Sequence, residues 1–297
     1  MFKLFVRRWP FVCLAGLLGV LLSACVSNAV PPEPDSGPVE AVNFAEANAA
    51  FTYADSYPSL KGAISLLERY AQQHPGDYAS RARLANAYTL LGAAYSSSVA
   101  DKAAAYAAAM RYGEAAMMTD PDYKAAHDRG ASFADALQAL DEEHFEALEF
   151  WKTALFYDFR ECTGLWDMLL SYGRLRQAVA VMERMEQIDR QAMWGNNLFS
   201  QGIYYLAQPE FVGGDKQLSA AYLAEAAAVS QRNIVPRWGR AKYYAVEMQD
   251  AGLFRADLSW VASQSLDKLE GYRPWNVALQ REARLLLANS ADYFSPD

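Results

Sequence analysis

The residues that carry metal and thiol chemistry are scarce in this chain. Its 297 residues include three histidines and three cysteines. His74 sits in a joint beside Pro75. His127 has no histidine or carboxylate at i+4. His144 shares a helix face with Asp141, at the acidic start of a helix where the dipole favours negative charge. There is no His-Glu-x-x-His, no Gly-x-Ser-x-Gly and no phosphate-cradling glycine loop. Gly213-Gly214 stands alone and reads as a turn. No stretch sustains the alternation of a strand, and the one long apolar run, residues 11–22, holds only about a dozen residues, too few to span a bilayer comfortably. No cofactor, metal or covalent chemistry is expected. The chain is also short of positive charge, at −8 overall, which disfavours nucleic acid as a partner.

That apolar run follows Lys3, Arg7 and Arg8 and precedes Leu22-Ser23-Ala24-Cys25. A basic start, a short apolar stretch and small residues before a cysteine make a lipobox: a peptidase cuts after residue 24, and the Cys25 thiol takes the lipid. Cleavage would carry away Cys13 and the three cations, taking the formal charge from −8 to −11 and leaving Cys162 as the only free thiol. Several acyl chains anchor stably. With Val26 in place of an acidic retention signal, the expected location is the periplasmic face of the outer membrane, with contact to the membrane through the lipid alone. Pro31 to Pro38 is proline-rich and polar and reads as an extended tether. The expected organisation is a signal at 1–24, lipidated cysteine and tether at 25–43, and a helical domain at 44–297.

What is abundant is alanine and helical periodicity. Leu84, Ala87, Tyr88, Leu91 and Tyr95 fall on one stripe. Helices are expected near 58–73, 79–96, 101–118, 122–140, 142–156, 162–172, 174–189, 192–207, 216–230, 235–250, 252–267 and 275–293. Asp77, Asp120 and Asp215 stand where N-caps belong. Sets of small and bulky residues recur: Ala63, Leu67 and Tyr70; Ala109, Gly113 and Ala116; Ala147, Trp151 and Ala154; Ser219, Leu223 and Ala226. This is the pattern of tetratricopeptide (TPR) helix pairs in degenerate form. The fold class expected is all-α, with TPR-like helical hairpins stacked into a solenoid or bundle.

Several segments together carry a family resemblance: a lipobox leading into a helical repeat domain; Arg83-Leu84-Ala85-Asn86-Ala87-Tyr88 with the alanine-rich stretch Lys102–Met118; Gly202-Ile203-Tyr204-Tyr205 followed by Pro209-Glu210-Phe211-Val212-Gly213-Gly214-Asp215; and Lys242-Tyr243-Tyr244-Ala245 with Leu253-Phe254 and Asn276, Ala283 and Leu285-Leu286-Leu287. Over roughly residues 44–294 the chain resembles the TatT family, lipoproteins associated with TRAP-type (tripartite ATP-independent periplasmic) transporters. The resemblance implies a non-enzymatic partner of a periplasmic solute-binding protein, assembly as a homotrimer, and cargo that is a small organic acid or another molecule with a hydrophobic tail.

Candidate contact residues follow from the aromatics. Neighbours on a helix lie about 100° apart, so the pairs Tyr204-Tyr205 and Tyr243-Tyr244 cannot both point into one narrow core stripe. Trp194 with Asn196 and Asn197 combines an apolar wall with amide hydrogen bonding. Arg237 and Arg240 beside Trp238 suit a carboxylate; a surface salt bridge is the plainer use. Trp166 completes the set of candidates. Two rival readings stand: a general envelope-assembly scaffold that binds peptide segments of outer-membrane proteins, and an enzyme in which His144 or Cys162 converges with acids in a pocket.

Overall fold

Capping chemistry fixes where most of the helices begin. Asn43 accepts from the Ala45 amide at 2.9 Å and starts α1 (Phe44–Thr52). Ser56 and Ser59 form a reciprocal capping box for α2 (Tyr57–Gln73), with Pro58 in its first turn. Asp77 accepts from Ser80 N at 2.7 Å at the head of α3 (Tyr78–Leu90). Ser98 caps α4 (Val99–Met117), and Asp120 accepts from Asp122 N and Tyr123 N to cap α5 (Pro121–Asp128). There follow α6 (Phe133–Ala136), α7 (Phe145–Glu161), α8 (Tyr172–Ile188), α9 (Asn196–Ala207), α10 (Lys216–Val229, capped by Asp215), α11 (Val235–Gly239), α12 (Ala251–Ser263, capped by Asp250) and α13 (Arg273–Ala288). This computed structural model describes residues 41–164 and 172–294. Cys25, the signal, nearly all of the expected tether and Trp166 lie outside the described residues. Among those residues the chain is all-α, with no strand, and no helix is long and apolar enough to cross a membrane.

Successive helices pack side by side, α1 on α2, α3 on α4, α9 on α10 and α12 on α13, and α4 also packs on α7. Small residues set the close crossings. A Cβ on Gly113 of α4 would lie 2.9 Å from the Cβ of Trp151 on α7, and one on Gly202 of α9 would lie 2.7 Å from Leu223 of α10. Ala109, Ala116, Ala147, Ala154, Leu223 and Ala226 are all fully buried. One core gathers Phe51, Leu60, Ile64, Leu67, Leu84 and Leu90 from α1 to α3, another Met117, Tyr123, Leu148, Trp151, Val181 and Met185, and a third Ile234, Trp238, Phe254, Leu258, Val261 and Leu286. Each fully buried Leu, Ile or Phe contributes about 1.5–3 kcal/mol.

Three departures from the expected elements have physical causes. Helix α1 lies ahead of the first expected helix; only Ala47 and Phe51 of its nine residues are buried, so its apolar stripe is too thin to stand out. The helix expected over 122–140 is broken, because Gly130 takes a left-handed conformation (φ 78°) and Ser132 then caps a new start. The helix expected to stop at 156 runs on to Glu161. Two helices also widen into π-helical turns, α3 over Leu91–Tyr95 and α11 over Arg240–Ala245.

The C-terminal helix returns to the N-terminal ones. Ala278 of α13 joins the core of α1 to α3. Trp275 Nε1 donates to Asn86 Oδ1 at 2.7 Å, and Asn86 Nδ2 donates to Glu146 at 3.1 Å. Glu146 also accepts from Arg83 at 2.8 and 3.3 Å. The Arg83 guanidinium stands 5.4 Å from the Phe51 ring and 5.3 Å from the Tyr272 ring. This cluster clasps α13 to α3 and α7.

Candidate functional site

The last turn of α7 presents Tyr157, Arg160 and Glu161 on one face, by the i, i+3, i+4 rule. Facing them are Lys102 and Tyr106 of α4, Trp238 of α11, Lys242 and Tyr243 of the π-turn that follows it, and Glu282 of α13. Together they form a ladder in which aromatic rings alternate with cations. Tyr106 and Tyr157 stack at 5.6 Å and 11°. The Arg160 guanidinium lies 4.7 Å from the Tyr157 ring and 4.9 Å from the Tyr243 ring. Lys242 Nζ lies 5.3 Å from Tyr243 and 4.7 Å from Trp238. Each such contact is worth about 0.5–2 kcal/mol, more as water is withdrawn. Both π-turns abut the ladder: one supplies Lys242 and Tyr243, and the other brings Gly92 so near Tyr106 that a Cβ there would lie 2.4 Å from the ring. Such turns recur at functional sites because they re-aim side chains that a regular helix would point elsewhere.

Two carboxylates serve three cations. Glu161 accepts from Lys102 at 2.9 Å and Tyr106 at 3.0 Å and also pairs with Arg160. Glu282 accepts from Lys242 at 2.7 Å and from the Trp238 indole at 3.0 Å. These groups are closely surrounded by protein, yet the Arg160 side chain keeps 33% of its surface accessible and that of Lys242 25%. Solvent therefore still reaches part of both cations. Burial pushes the Tyr157 phenol far up, reinforced by Tyr243. Burial acts on Tyr243 the same way, but the Arg160 and Lys242 charges outweigh it and hold that phenol below the ordinary tyrosine value. Its enclosed hydroxyl lies beside the guanidinium without a well-formed hydrogen bond. In an ultraviolet titration of the folded protein, Tyr243 should ionise below pH 10, and Tyr243→Phe should remove that step. If the titration below pH 10 is the same with and without Tyr243→Phe, the two cations are not where this geometry has them.

The other expected residues fall into separate places. Arg240 is held by Asp257 through two hydrogen bonds of 2.7 and 2.8 Å, and Arg237 lies 3.8 Å from the same carboxylate and 4.4 Å from the Trp260 ring. Both arginines are used inside α11–α12 packing, and Asp257, almost fully buried, consumes the charge expected to face a ligand. Asn197 is buried and donates to Met182 O at 3.0 Å, tying α8 to α9. Tyr205 stacks on Tyr222 at 5.7 Å. Tyr204 lines a small groove of about 180 Å³ with Leu175, Arg176, Val179, Ala180 and Glu183. Trp194 lines a wider, open groove of about 440 Å³ with Phe145, Met193, Val229 and Glu270. Met193 (φ 53°), Trp194 (φ 58°) and Gly195 (φ 88°) are consecutive left-handed residues there. For the two that are not glycine this conformation costs about 1–2 kcal/mol each. Asn233 offsets part of it by donating to Trp194 O at 2.9 Å and Asn196 Oδ1 at 2.8 Å.

Trp238 and Tyr243 are thus the expected residues that come together in the ladder. Arg160, Tyr157, Lys242, Glu161 and Glu282 were not anticipated, although Lys242 stands inside a segment that carries the family resemblance. His144 lies 2.9 Å from Asp141 and 3.9 Å from Asp120 at the start of α7. The Cys162 thiol is pushed up to about 11 by burial and by Asp158 and Glu161, so it stays protonated and a poor nucleophile at neutral pH. Among the described residues no three His, Cys, Asp or Glu side chains gather as a metal would need.

Among the described residues the body is all-helical, and the ladder is a line of rings and paired charges on it. The model of the family described as TRAP transporter T-component matches residues 67–294, a span that includes the whole ladder, and the chain belongs to that family. The family is transport-associated and non-catalytic. Comparison with curated proteins gave no match.

Proposed function

We propose that this protein is a lipid-anchored periplasmic scaffold that binds the solute-binding protein of a TRAP-type transporter and helps pass on its ligand. The ladder is the observation that carries this reading. A small organic acid needs a cation for its carboxylate and an apolar wall for its body. Arg160 offers a planar fork suited to a carboxylate, its aromatic flanks offer the wall, and three cations against two carboxylates leave room for one more negative charge. No bond need be made or broken. Attachment at Cys25 on the periplasmic face of the outer membrane would raise the local concentration of the partner complex without any new contact.

The test is a calorimetric titration of the full-length protein, in detergent micelles, with the solute-binding protein of the TRAP transporter from the same cell. A saturable complex is expected with the loaded or the empty form. Absence of a complex with both contradicts the proposal. Titration with the free organic acid should show weaker binding by Arg160→Ala, by about 10- to 100-fold, as for a charge-assisted hydrogen bond worth about 1.5–3 kcal/mol. An unchanged affinity places the ligand elsewhere.

A further inference from the structure

In the middle of the ladder two hydrogen-bond donors are left unspent, and they stand side by side. The Tyr243 hydroxyl is enclosed yet has no hydrogen-bond partner. A buried hydroxyl left unpaired costs free energy that an arriving acceptor removes. Beside it the Arg160 guanidinium is held between two rings, 4.7 Å from that of Tyr157 and 4.9 Å from that of Tyr243. The rings cover its faces and leave its edge, a fork of N–H donors. Among the described residues only its Nη2 finds an acceptor, Glu161. Arg240, by contrast, spends Nε and Nη2 on Asp257, and Arg83 is shared among Glu146 and Asn48. Ion pairing is uneven at the same spot. Lys242 has Glu282 at 2.7 Å and Lys102 has Glu161 at 2.9 Å, so Arg160 shares a carboxylate that is already taken. The unpaired donors and the surplus positive charge therefore coincide.

We infer that the Tyr243 hydroxyl and the free edge of Arg160 make one seat for one carboxylate, so that the ladder selects organic acids with a single carboxylate over dicarboxylates and over neutral amides. This selection rests on the ligand role proposed for Arg160 above. A carboxylate only accepts, so one oxygen takes a guanidinium N–H and the other the phenol O–H. An amide of the same shape brings no charge to Arg160 and turns an NH₂ group toward donors. A second carboxylate on the ligand meets no unpaired cation, because Lys102 and Lys242 are engaged, and Glu161 and Glu282 repel it. Sites that pair buried polar groups with their ligand reject analogues that leave those groups unpaired. Around the Tyr243 phenol stand Arg160 and Tyr157 from α7, Lys242 and Trp238 from its own stretch of chain, and Glu282 from α13. A carboxylate seated among them raises the pH at which the phenol ionises, both by its charge and by holding the phenol proton as an acceptor.

The experiment titrates the full-length protein in detergent micelles with hexanoate, hexanamide and adipate, alongside Arg160→Ala, Tyr243→Phe and, as a control, Tyr95→Phe, which removes another enclosed and unpaired hydroxyl outside the ladder. Hexanoate should bind the unaltered protein about tenfold or more tightly than either analogue. Tyr243→Phe should weaken hexanoate by about tenfold, the lower end for a hydrogen bond to a charged group. It should not lower the melting temperature, since that hydroxyl bonds nothing within the protein, and Tyr95→Phe should leave hexanoate binding unchanged. Saturating hexanoate should move the Tyr243 step of the ultraviolet titration to higher pH, which a purely structural role would not do. If Arg160→Ala weakens hexanoate and Tyr243→Phe does not, the seat is refuted and the functional reading stands. If adipate binds as tightly as hexanoate, the selection of a single carboxylate is refuted. If none of the three binds the unaltered protein, this inference is overturned, and the titration with the solute-binding protein decides the functional reading on its own.

Discussion

Replacing Glu149 with alanine should lower the melting temperature by about 6–20 °C, the largest single-site effect expected in this molecule. Lys152 of α7 is completely buried; its Nζ lies 2.5 Å from Glu149 and 3.0 Å from Ser200 Oγ on α9. Breaking a buried ion pair from one side costs about 3–5 kcal/mol because the remaining charge keeps its desolvation penalty. In a domain of this size each kcal/mol is worth about 2–4 °C. The same reasoning gives a sign for the pH dependence. Burial, more than Glu149 can compensate, holds the Lys152 ammonium below its ordinary value. Between the folded and unfolded pKa values the unfolded chain binds the extra proton, so stability rises with pH in that window. Without Glu149 the folded pKa drops further and the window widens downward from the unfolded value. The deficit of Glu149→Ala should therefore shrink as pH is raised from 7 toward 10. The double variant Glu149→Leu with Lys152→Met should regain most of the loss, since an apolar pair of similar volume has no charge to desolvate. Thermal denaturation of the three proteins at two pH values checks all three statements.

Glu146→Ala should act differently, loosening one end of the molecule. Glu146 is the hub at which Arg83, Asn86 and, through Asn86, Trp275 meet. Its side chain and that of Arg83 keep about a sixth of their surface accessible (16% and 17%), so the expected cost is somewhat smaller, about 2–4 kcal/mol. It should be local as well as global. Hydrogen exchange should quicken in α13 and at the facing ends of α3 and α7, which the clasp joins, well beyond any change in α9 and α10. Uniform quickening across all helices would show that the clasp has no special hold on α13.

Much of this architecture can be read from the sequence, because its causes are local. Asp77, Asp120 and Asp215 cap helices a few residues away, and Ala109, Gly113, Ala116, Ala147 and Ala154 mark crossings because any larger side chain would push helices apart. The family resemblance rests on similar short segments. The ladder and the clasp are not local. Trp275 meets Asn86 across a separation of 189 positions, and Arg160 meets Tyr243 only once α7 and the turn after α11 have folded against each other. The fate of Arg237 and Arg240 was hidden for the same reason: Asp257, 17 positions beyond Arg240, belongs to the next helix and turns both arginines inward. Left-handed Met193 and Trp194 leave no mark in composition, since neither residue type favours that conformation.

Uptake in cells tests most directly the proposal that this protein serves TRAP transport by holding partners and ligand. Cells lacking the gene should accumulate a labelled TRAP substrate several-fold more slowly than the parent strain. The unaltered gene should restore uptake, and Arg160→Ala, present at equal abundance, should not. Uptake that is unchanged by the deletion, or fully restored by Arg160→Ala, would contradict the account.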